Sequence, residues 1–571
     1  MFQQTAPALV SLATHDVATK EITTSLLNAE AMGNDKLKDF IKSRLLTRTI
    51  SFYVSLPKSN SLTFKSLYMK KVVSKSSAIT KVLKADRSLL QRLFRAQLSG
   101  RNINIKELLK HELFPVPLSI ADTSGTLLSA SGKSDLQHIL EEGVIVNQLP
   151  SASDKMTCMV IDGQSFVVAL GKPKGAKTFA DLAKVFTKNV FNHAKDNCTR
   201  IDVVFDRYDK VSIKSSTRDK RRTGRRPVRR VIDNGDVPLP QNWSDFISLP
   251  ENKSDLSCFL SNELLRLATD VDAEIVTAGG FLDKECAVSS TGRDVSLLRA
   301  THEEADTRIL LHALEACLKG YERTIVLCRD TDVLVLLIHF LSKLSTEVWF
   351  QTGTFKQRNF IPVHNINLSH SEMEMLPAFH ALTGCDTVSR LSGHSKKAAF
   401  KVFKKNTGLL TRLGHGDLSV EAIKDAETFI CKLYSSDDNF TSTDELRCKL
   451  FVSGRCTLEN LPPTSDAVEL HIQRAHNQTA IWLLSLEAAP DLPTPIGNGW
   501  LESEGCLKPK LMRKDPVPIC CIELLTCKCK SCSTTRCTCR RNKLKCVRAC
   551  SCGSDSICLN PMNEDTESDA D

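Results

Sequence analysis

The stretch 301–332, THEEADTRILLHALEACLKGYERTIVLCRDTD, places two acidic groups on either side of one helix and one strand. The first group, Glu303, Glu304 and Asp306, opens an amphipathic helix whose apolar residues recur at helical spacing. Thr301 and Glu304 fit a capping box, and acidic residues in a first turn suit the helix dipole. Taken alone, this first group therefore has a structural explanation as well as a functional one.

The second group, Asp330 and Asp332, follows the apolar run Thr324–Cys328. Such a run is typical of a strand that is buried on both faces of a parallel sheet. Open α/β sheets bind their ligands at the carboxyl ends of their strands. Two carboxylates at such an end repel each other unless a cation lies between them, so the pattern indicates a cation site.

Two earlier strands also end in aspartate. Cys158–Ile161 is followed by Asp162, and the apolar run in RIDVVF, residues 200–205, is followed by Asp206. The amphipathic helix Phe179–Lys195 lies between them, which predicts a βαβ unit. Because its crossover is right-handed, both strand ends are expected at one edge of a parallel sheet.

Ser371 and Glu374 are predicted to cap a helix that carries PAFHAL. A seventh acid follows this helix, in the turn of LTGCD, and completes the candidate set. The set is Asp162, Asp206, Glu304 (or Glu303), Asp306, Asp330, Asp332 and Asp386. Hard oxygen ligands select Mg²⁺ or Mn²⁺, and two such ions about 4 Å apart can activate water and stabilise the leaving oxygen of a phosphodiester. The pattern predicts a two-metal phosphodiesterase; the alternative is that the acids are solvated helix caps.

Basic segments accompany these acids. In KSSTRDKRRTGRRPVRR, residues 214–230, nine of 17 residues are Lys or Arg, which fits a nuclear-localisation signal, a solvated loop or phosphate contact. A Lys-rich helix within 391–405 has a start that suits a phosphate, although many Lys residues on a helix also fit a solvated face. The candidate contacts to nucleic acid are Arg218, Lys220, Arg221, Arg222, Arg225, Arg226, Lys396 and Lys397.

Nine of the 22 cysteines cluster near the C-terminus. They are Cys527, Cys529, Cys532, Cys537, Cys539, Cys546, Cys550, Cys552 and Cys558. The first residues, MFQQTAPALV, indicate no signal peptide, so metal thiolates in a reducing compartment are favoured over disulfides. Repeated C-x-C pairs suit sulfurs that bridge neighbouring zinc ions, and nine thiolates with three bridging can complete three tetrahedral Zn²⁺ sites. Between them, Arg540, Arg541 and Lys543 are candidate DNA contacts.

The motifs VIDGQSF, VVFD, EEAD, DTDVL and LTGCD, in this order, resemble those of the flap endonuclease and PIN-like nuclease superfamily. The resemblance covers about residues 157–406. It implies that the seven acids ligate two catalytic metal ions, and that the basic segment 210–230 guides the strand.

The cysteine tail resembles the CXC domain of tesmin/TSO1-like proteins, which implies DNA contact. A zinc knot that does not touch DNA and a disulfide scaffold are the alternatives. The whole chain resembles animal proteins, of suggested mobile-element origin, that join such an acidic domain to a cysteine cluster.

The predicted fold is α/β: a parallel-sheet, PIN-like/flap-nuclease domain with helical flanking regions and a small zinc-cluster module. Residues 1–150 are predicted to be mostly helical with no assigned role, 151–406 to form the nuclease domain, 407–515 to be helical with a Pro-rich connector, 516–560 to be the CXC domain, and 561–571 to be an acidic disordered tail.

The expected activity is Mg²⁺- or Mn²⁺-dependent cleavage of nucleic acid, DNA in preference to RNA, in the nucleus. The alternative is a non-catalytic DNA-binding or chromatin-associated protein with an inert nuclease-like fold. The longest apolar run, Val333–Leu341, is too short for a membrane span, so no membrane partner is expected. No protein partner is indicated.

Overall fold

A seven-stranded, mostly parallel sheet forms the centre of the protein. The computed structural model describes residues 9–54, 56, 61–68, 104–129, 133–146, 155–193, 198–208, 213, 227–353, 358–436, 439–453, 460–503, 506–518, 527–541, 546, 550–552 and 558–563. The strands are β1 (Thr157–Asp162), β2 (Cys198–Val204), β3 (Glu274–Ala278), β4 (Ala287–Ser289), β5 (Arg323–Leu327), β6 (Glu347–Gly353), β7 (Arg358–Pro362), β8 (Trp500–Ser503) and β9 (Cys506–Pro509).

The sheet order is β4-β3-β2-β1-β5-β6-β7. Strands β3, β2, β1, β5 and β6 run parallel, and the short edge strands β4 and β7 run antiparallel to their neighbours. Both β1 and β5 are therefore central, and their carboxyl ends lie side by side. The predicted α/β class with a parallel sheet is confirmed, and the two antiparallel edges are an addition that the sequence analysis did not foresee.

The described residues form α-helices, several of which cover the two faces of the sheet. They are α1 (Lys20–Leu27), α2 (Ala29–Phe40), α3 (Ile105–Leu108), α4 (Lys133–Leu140), α5 (Gly163–Leu170), α6 (Phe179–Phe191), α7 (Trp243–Phe246), α8 (Pro250–Leu267), α9 (Ala305–Leu318), α10 (Thr331–His339), α11 (His370–Leu382), α12 (Lys396–Lys405), α13 (Val420–Tyr434), α14 (Thr443–Val452), α15 (Ser465–Leu483) and α16 (Thr538–Arg541). Among the described residues, no helix has the length and apolarity needed to cross a membrane.

Successive residues of β1 point to opposite faces of the sheet, as in any strand. Met159 and Ile161 pack into a core with α5, α6 and α8, whereas Cys158 and Val160 pack into a larger core with α9, α10 and α11. All four side chains are buried. This burial on both faces explains why the apolar runs in the sequence lack the alternation of a half-exposed strand.

The larger core continues beyond residue 406. Helices α13 and α15 contribute Phe429, Ile472 and Trp482 to it. A further cluster joins the N-terminal segment to the C-terminal helices, with Leu109 packed among residues of α13 and α14 and against Val517. Tyr434 of α13 packs against both this cluster and the larger core, and so connects the two.

Two helix caps differ from those expected from the sequence. Helix α9 begins at Ala305, and its N-cap residue Glu304 makes no capping bond, so the predicted box with Thr301 does not form. Instead the Asp206 carboxylate, from another strand end, accepts the Ala305 N–H at 2.8 Å.

For α11 the capping box is Ser369 with Glu372. The sequence analysis assigned that role to Ser371 and Glu374, which lie two residues further along. In addition, the predicted Pro-rich connector contains the β8–β9 hairpin.

Several predictions fall outside the described residues. They concern Arg218, Lys220, Arg221, Arg222, Arg225 and Arg226 of the basic segment, Lys543 of the cysteine tail, and residues 564–571.

Candidate metal-binding sites

Five of the predicted acids gather at the carboxyl edge of the sheet. Asp162 is the last residue of β1, and Asp206 lies two residues beyond the end of β2. Asp306 is in the first turn of α9, whereas Asp330 and Asp332 open α10 directly after β5. Because β2, β1 and β5 are adjacent and parallel, their ends bring together residues that are 170 positions apart in the chain.

Asp162 is buried beneath the edge. Its Oδ1 accepts the Ser165 N–H at 2.8 Å, and the Cys328 thiol donates to Oδ2 at 3.4 Å. Burial, followed by the negative charges of Asp206 and Asp330, raises the pKa of Asp162 to about 7. The local hydrogen bonds therefore do not compensate for the loss of water and the repulsion between carboxylates.

Asp306 belongs to two groups of potential ligands. In one, its carboxylate lies with Asp162 and the Cys328 sulfur, and the ligand atoms are all within 4.8 Å of one another. In the other, it lies with Asp330 and Asp332 within the same distance. A single carboxylate thus joins the β1 side of the site to the β5 side.

Three helices begin at this site. Asp162 is the N-cap of α5, Asp330 is the N-cap of α10 and bonds to the Asp332 N–H at 3.1 Å, and Asp306 lies in the first turn of α9. Positive helix ends stabilise these charges in part. However, Asp162, Asp306 and Asp332 are no more than 8% exposed, so they are not the solvated caps of the alternative interpretation.

Cys328 is a member of the site that the sequence analysis treated only as the end of a strand. Its sulfur accepts the Asp330 N–H at 3.3 Å, in addition to its bond to Asp162. Burial and the neighbouring carboxylates raise the pKa of this thiol well above its usual value. Its position directly after β5 and two residues before Asp330 is the signal that could have identified it.

His380 and Lys396 also reach the site, from α11 and α12. The His380 Nε2 lies 2.9 Å from the Asp332 Oδ1, and the Lys396 Nζ lies 3.0 Å from the His380 Nδ1. Lys396 was a predicted phosphate contact, but it is buried and also bonds to the His380 carbonyl and the Thr383 hydroxyl. Its neighbour Lys397 is exposed and lies 3.6 Å from Glu142.

Two predicted acids are placed less centrally. Glu304 is half-buried as the N-cap of α9, and Asp386 is half-buried in the turn that follows α11. Within the part of the chain that the structure describes, neither belongs to the two groups that Asp306 joins, and nor does Asp206, which is also half-buried. The turn at Asp386 needs Gly384, which has φ +112° and would bring a Cβ within 2.8 Å of the Arg390 backbone.

The nine cysteines of the tail form a second cluster. Three groups of four have their sulfurs within 4.8 Å of one another: Cys527, Cys532, Cys537 and Cys546; Cys527, Cys539, Cys546 and Cys550; and Cys532, Cys546, Cys552 and Cys558. Cys546 occurs in all three groups. Cys527 and Cys532 each occur in two groups, as a thiolate that bridges two ions would, whereas Cys529 occurs in none.

The sulfurs are not paired as disulfides. Those of Cys527 and Cys532 are 3.4 Å apart, and those of Cys539 and Cys550 are 3.6 Å apart, against about 2.05 Å for a disulfide bond. No described cysteine of the chain forms a disulfide. Burial is the main reason that the pKa of Cys527 is raised to about 12, so a metal ion that binds there would displace the proton of this thiol.

Of the predicted DNA contacts in this module, two are described. Arg541 is exposed at the end of α16, whereas Arg540 is half-buried and donates to the Ser533 carbonyl.

Comparison with known proteins does not assign the chain to a family. No family model matches it, and no curated protein matches it. Among solved structures, it aligns with the crystal structure of the T5 D15 protein co-crystallised with metal ions, at 14% identity and a TM-score of 0.26. The alignment covers 58% of this chain and 100% of that chain. At this TM-score the likeness carries no weight for the fold or the function.

Proposed function

We propose that this chain is a metal-dependent nuclease that hydrolyses phosphodiester bonds with two divalent cations, Mg²⁺ or Mn²⁺. The observation that carries the proposal is the gathering of Asp162, Asp306, Asp330 and Asp332 in two groups that share Asp306. Four carboxylates in so small a space repel one another strongly unless cations compensate for their charge. Oxygen ligands of this kind match the preference of Mg²⁺ and Mn²⁺.

The residues divide into two sides of one centre. Asp162 and Asp206 supply the β1 and β2 side, and Asp330 and Asp332 supply the β5 side. Asp306 would be a ligand common to both cations. When bound, a pair of such ions activates water and stabilises the leaving oxygen of a phosphodiester. Glu304 and Asp386 are candidates for ligands that complete the coordination from the rim.

A cleft of carboxylates repels a polyanion, so the substrate needs positive charge nearby. Arg329 is exposed beside Asp330, where its guanidinium is held by the Gly353 carbonyl at 2.6 Å. The basic segment 214–230 follows Asp206 in the chain and is the second candidate for backbone contact. Both would act on phosphates and give no base specificity.

The cysteine cluster would anchor the nuclease to DNA. Its three groups of four thiols suit three Zn²⁺ ions, and Arg541 presents an exposed positive charge beside them. Tethering raises the local concentration of DNA without any demand on the affinity of the active site. DNA in preference to RNA, and action in the nucleus, belong to this proposal.

A cleavage assay on the full chain tests the proposal. Single-stranded, flap and duplex DNA, with matched RNA, are incubated with Mg²⁺ or Mn²⁺. The wild-type chain should cut at least one substrate, and the double variant Asp330→Ala, Asp332→Ala should lose at least 100-fold in rate, of the order expected when metal ligands are removed. Asp491→Asn, an exposed carboxylate far from the edge in sequence, is the matched control and should retain activity.

Binding of DNA without cutting by the wild-type chain would favour the alternative, a non-catalytic DNA-binding protein. Equal cutting by the wild-type chain and the double variant would point to a contaminating nuclease and would refute the assignment of the site.

A further inference from the structure

A chain of hydrogen bonds leads from the acidic site to a buried ammonium group. Asp332 Oδ1 is 2.9 Å from His380 Nε2, and His380 Nδ1 is 3.0 Å from Lys396 Nζ. All three side chains are at most 6% exposed. The three side chains therefore form one buried path of hydrogen bonds, with the Asp332 carboxylate at one end and the Lys396 amino group at the other.

The hydrogen-bond donors of Lys396 determine which nitrogen of the His380 imidazole carries the proton. An ammonium group has three donors and no acceptor. Lys396 directs these donors to His380 Nδ1, the His380 carbonyl at 2.8 Å and the Thr383 hydroxyl at 2.8 Å. Nδ1 must therefore accept, which leaves the ring proton on Nε2, where it is donated to Asp332 Oδ1. Lys396 thus selects the tautomer that can hold Asp332.

Aromatic rings pack against His380 and Lys396 and hold these hydrogen-bonded side chains in place. The Trp482 ring from α15 stacks on the His380 ring, with centroids 5.6 Å apart and planes 15° apart. The Lys396 Nζ lies 5.5 Å from the centre of the Phe379 ring. Four helices, α10, α11, α12 and α15, therefore determine where the Asp332 carboxylate points.

We propose that His380 and Lys396 are positioning residues for the metal centre: Lys396 fixes the His380 tautomer, and His380 holds Asp332 in the orientation that binds a cation. Hydrogen bonds behind the ligands of a metal typically change its affinity 10- to 100-fold, although they do not touch the ion. The affinity of the acidic site for Mg²⁺ or Mn²⁺ thus depends on an ammonium group that lies one imidazole away from the ligand. The inference rests on the proposed metal site and is independent of phosphodiester cleavage.

Mn²⁺ binding to the zinc-loaded full chain tests this inference, with the free ion followed by electron paramagnetic resonance. Lys396→Met keeps the length of the side chain but removes the ammonium, and it should weaken Mn²⁺ binding about 10- to 100-fold. Lys397→Met is the matched control, because it removes the exposed neighbouring charge, and it should change the dissociation constant by less than about twofold.

Two further variants separate positioning from a merely structural role. A glutamine amide at position 380 can donate to Asp332 without help from a lysine. His380→Gln should therefore retain most of the affinity and make Lys396→Met nearly neutral when the two are combined. In an Asp332→Ala background, Lys396→Met should weaken Mn²⁺ binding no further, because the effect is transmitted through Asp332.

Unchanged Mn²⁺ affinity in Lys396→Met, even with a lower melting temperature, would overturn the inference, as would an equal loss in the Asp332→Ala background. A wild-type chain that binds no Mn²⁺ would remove both this inference and the proposed function. A wild-type chain that binds Mn²⁺ with the expected variant pattern but cuts no nucleic acid would refute the nuclease and leave the positioning role intact.

Discussion

At the scale of single residues, folding disfavours the ionised form of Asp162, which is the form that a cation would bind. Its carboxyl group is buried at the end of a central strand, next to Asp206 and Asp330, and its pKa is raised to about 7. The unfolded chain binds a proton there only below about pH 4. Between these values the folded protein holds a proton that the unfolded chain does not, so ionisation of Asp162 above pH 7 is possible only at a cost to stability.

The stability of the protein without Mg²⁺ or Mn²⁺ should therefore depend on pH in a defined direction. Because the folded state binds more protons between about pH 4 and 7, the Asp162 contribution to the free energy of unfolding falls as pH rises, by at most about 1.4 kcal/mol per pH unit. Asp162→Asn should flatten this dependence. Thermal unfolding of both proteins from pH 5 to 8 measures it, and identical slopes would contradict the pKa.

Added Mg²⁺ should oppose this fall in stability with rising pH, since a cation binds the ionised carboxylates and competes with the proton. We expect the rise in melting temperature with Mg²⁺ to be larger at pH 8 than at pH 6. A larger effect at pH 6 would show that Asp162 is not among the groups that respond to the ion.

At the scale of elements, the sequence predicted the central strands β1, β2 and β5, because burial on both faces leaves continuous apolar runs. The strand ends, and with them Asp162, Asp206, Asp330 and Asp332, followed from those runs. Cys328 and the buried Lys396 did not, since a thiol and an ammonium become part of a site only through packing between elements. Nor did the edge strands, because β4 has only three residues and β7 begins with the half-buried polar residues Arg358 and Asn359.

Helix caps were a second limit, since several Ser and Glu residues near the start of α11 satisfy the same spacing. Ser369 and Glu372 form the box, with the Ser369 N–H 2.7 Å from the Glu372 Oε2, whereas Ser371 lies within the first turn. Local spacing alone does not distinguish the two serines.

This difference can be measured. Ser369→Ala removes the hydroxyl that accepts the Glu372 N–H and should lower the free energy of unfolding by about 1 kcal/mol. Ser371→Ala, two residues away and exposed, should change it by less than about 0.5 kcal/mol. Urea unfolding of the two variants beside wild type gives both values. A larger loss of stability in Ser371→Ala than in Ser369→Ala would show that Ser371 forms the cap, as the sequence suggested.

At the scale of the whole molecule, the sheet and the cysteine cluster are held together by different means. The sheet and its helices have extensive apolar cores, whereas the described part of residues 527–558 is centred on its own sulfurs. Because thiols alone do not replace a hydrophobic core, the fold of this module would depend on the Zn²⁺ of the proposed function.

Removal of zinc should therefore affect the two parts unequally. We expect about three Zn²⁺ per chain, which a strong chelator removes together with DNA binding but without unfolding the sheet. Cys546→Ser, at the sulfur common to all three groups, should lower the zinc content, whereas Cys506→Ser, an exposed cysteine outside the cluster, should not. Atomic emission and circular dichroism measure the two effects, and equal zinc content in both variants would contradict the cluster.

The stacking of Trp482 on His380 has a practical consequence for anyone who wishes to isolate the sheet and its acidic site. A fragment that stops near residue 406, where the motifs run out, would lose α13 and α15 and leave the apolar side of α11 bare. Such a fragment would be prone to aggregate, and the His380 imidazole, which bonds to Asp332, would lose the Trp482 ring that stacks on it. The smallest unit worth expressing therefore extends from the short helix at Ile105 to Val517, and failed expression of anything shorter would say nothing about its chemistry.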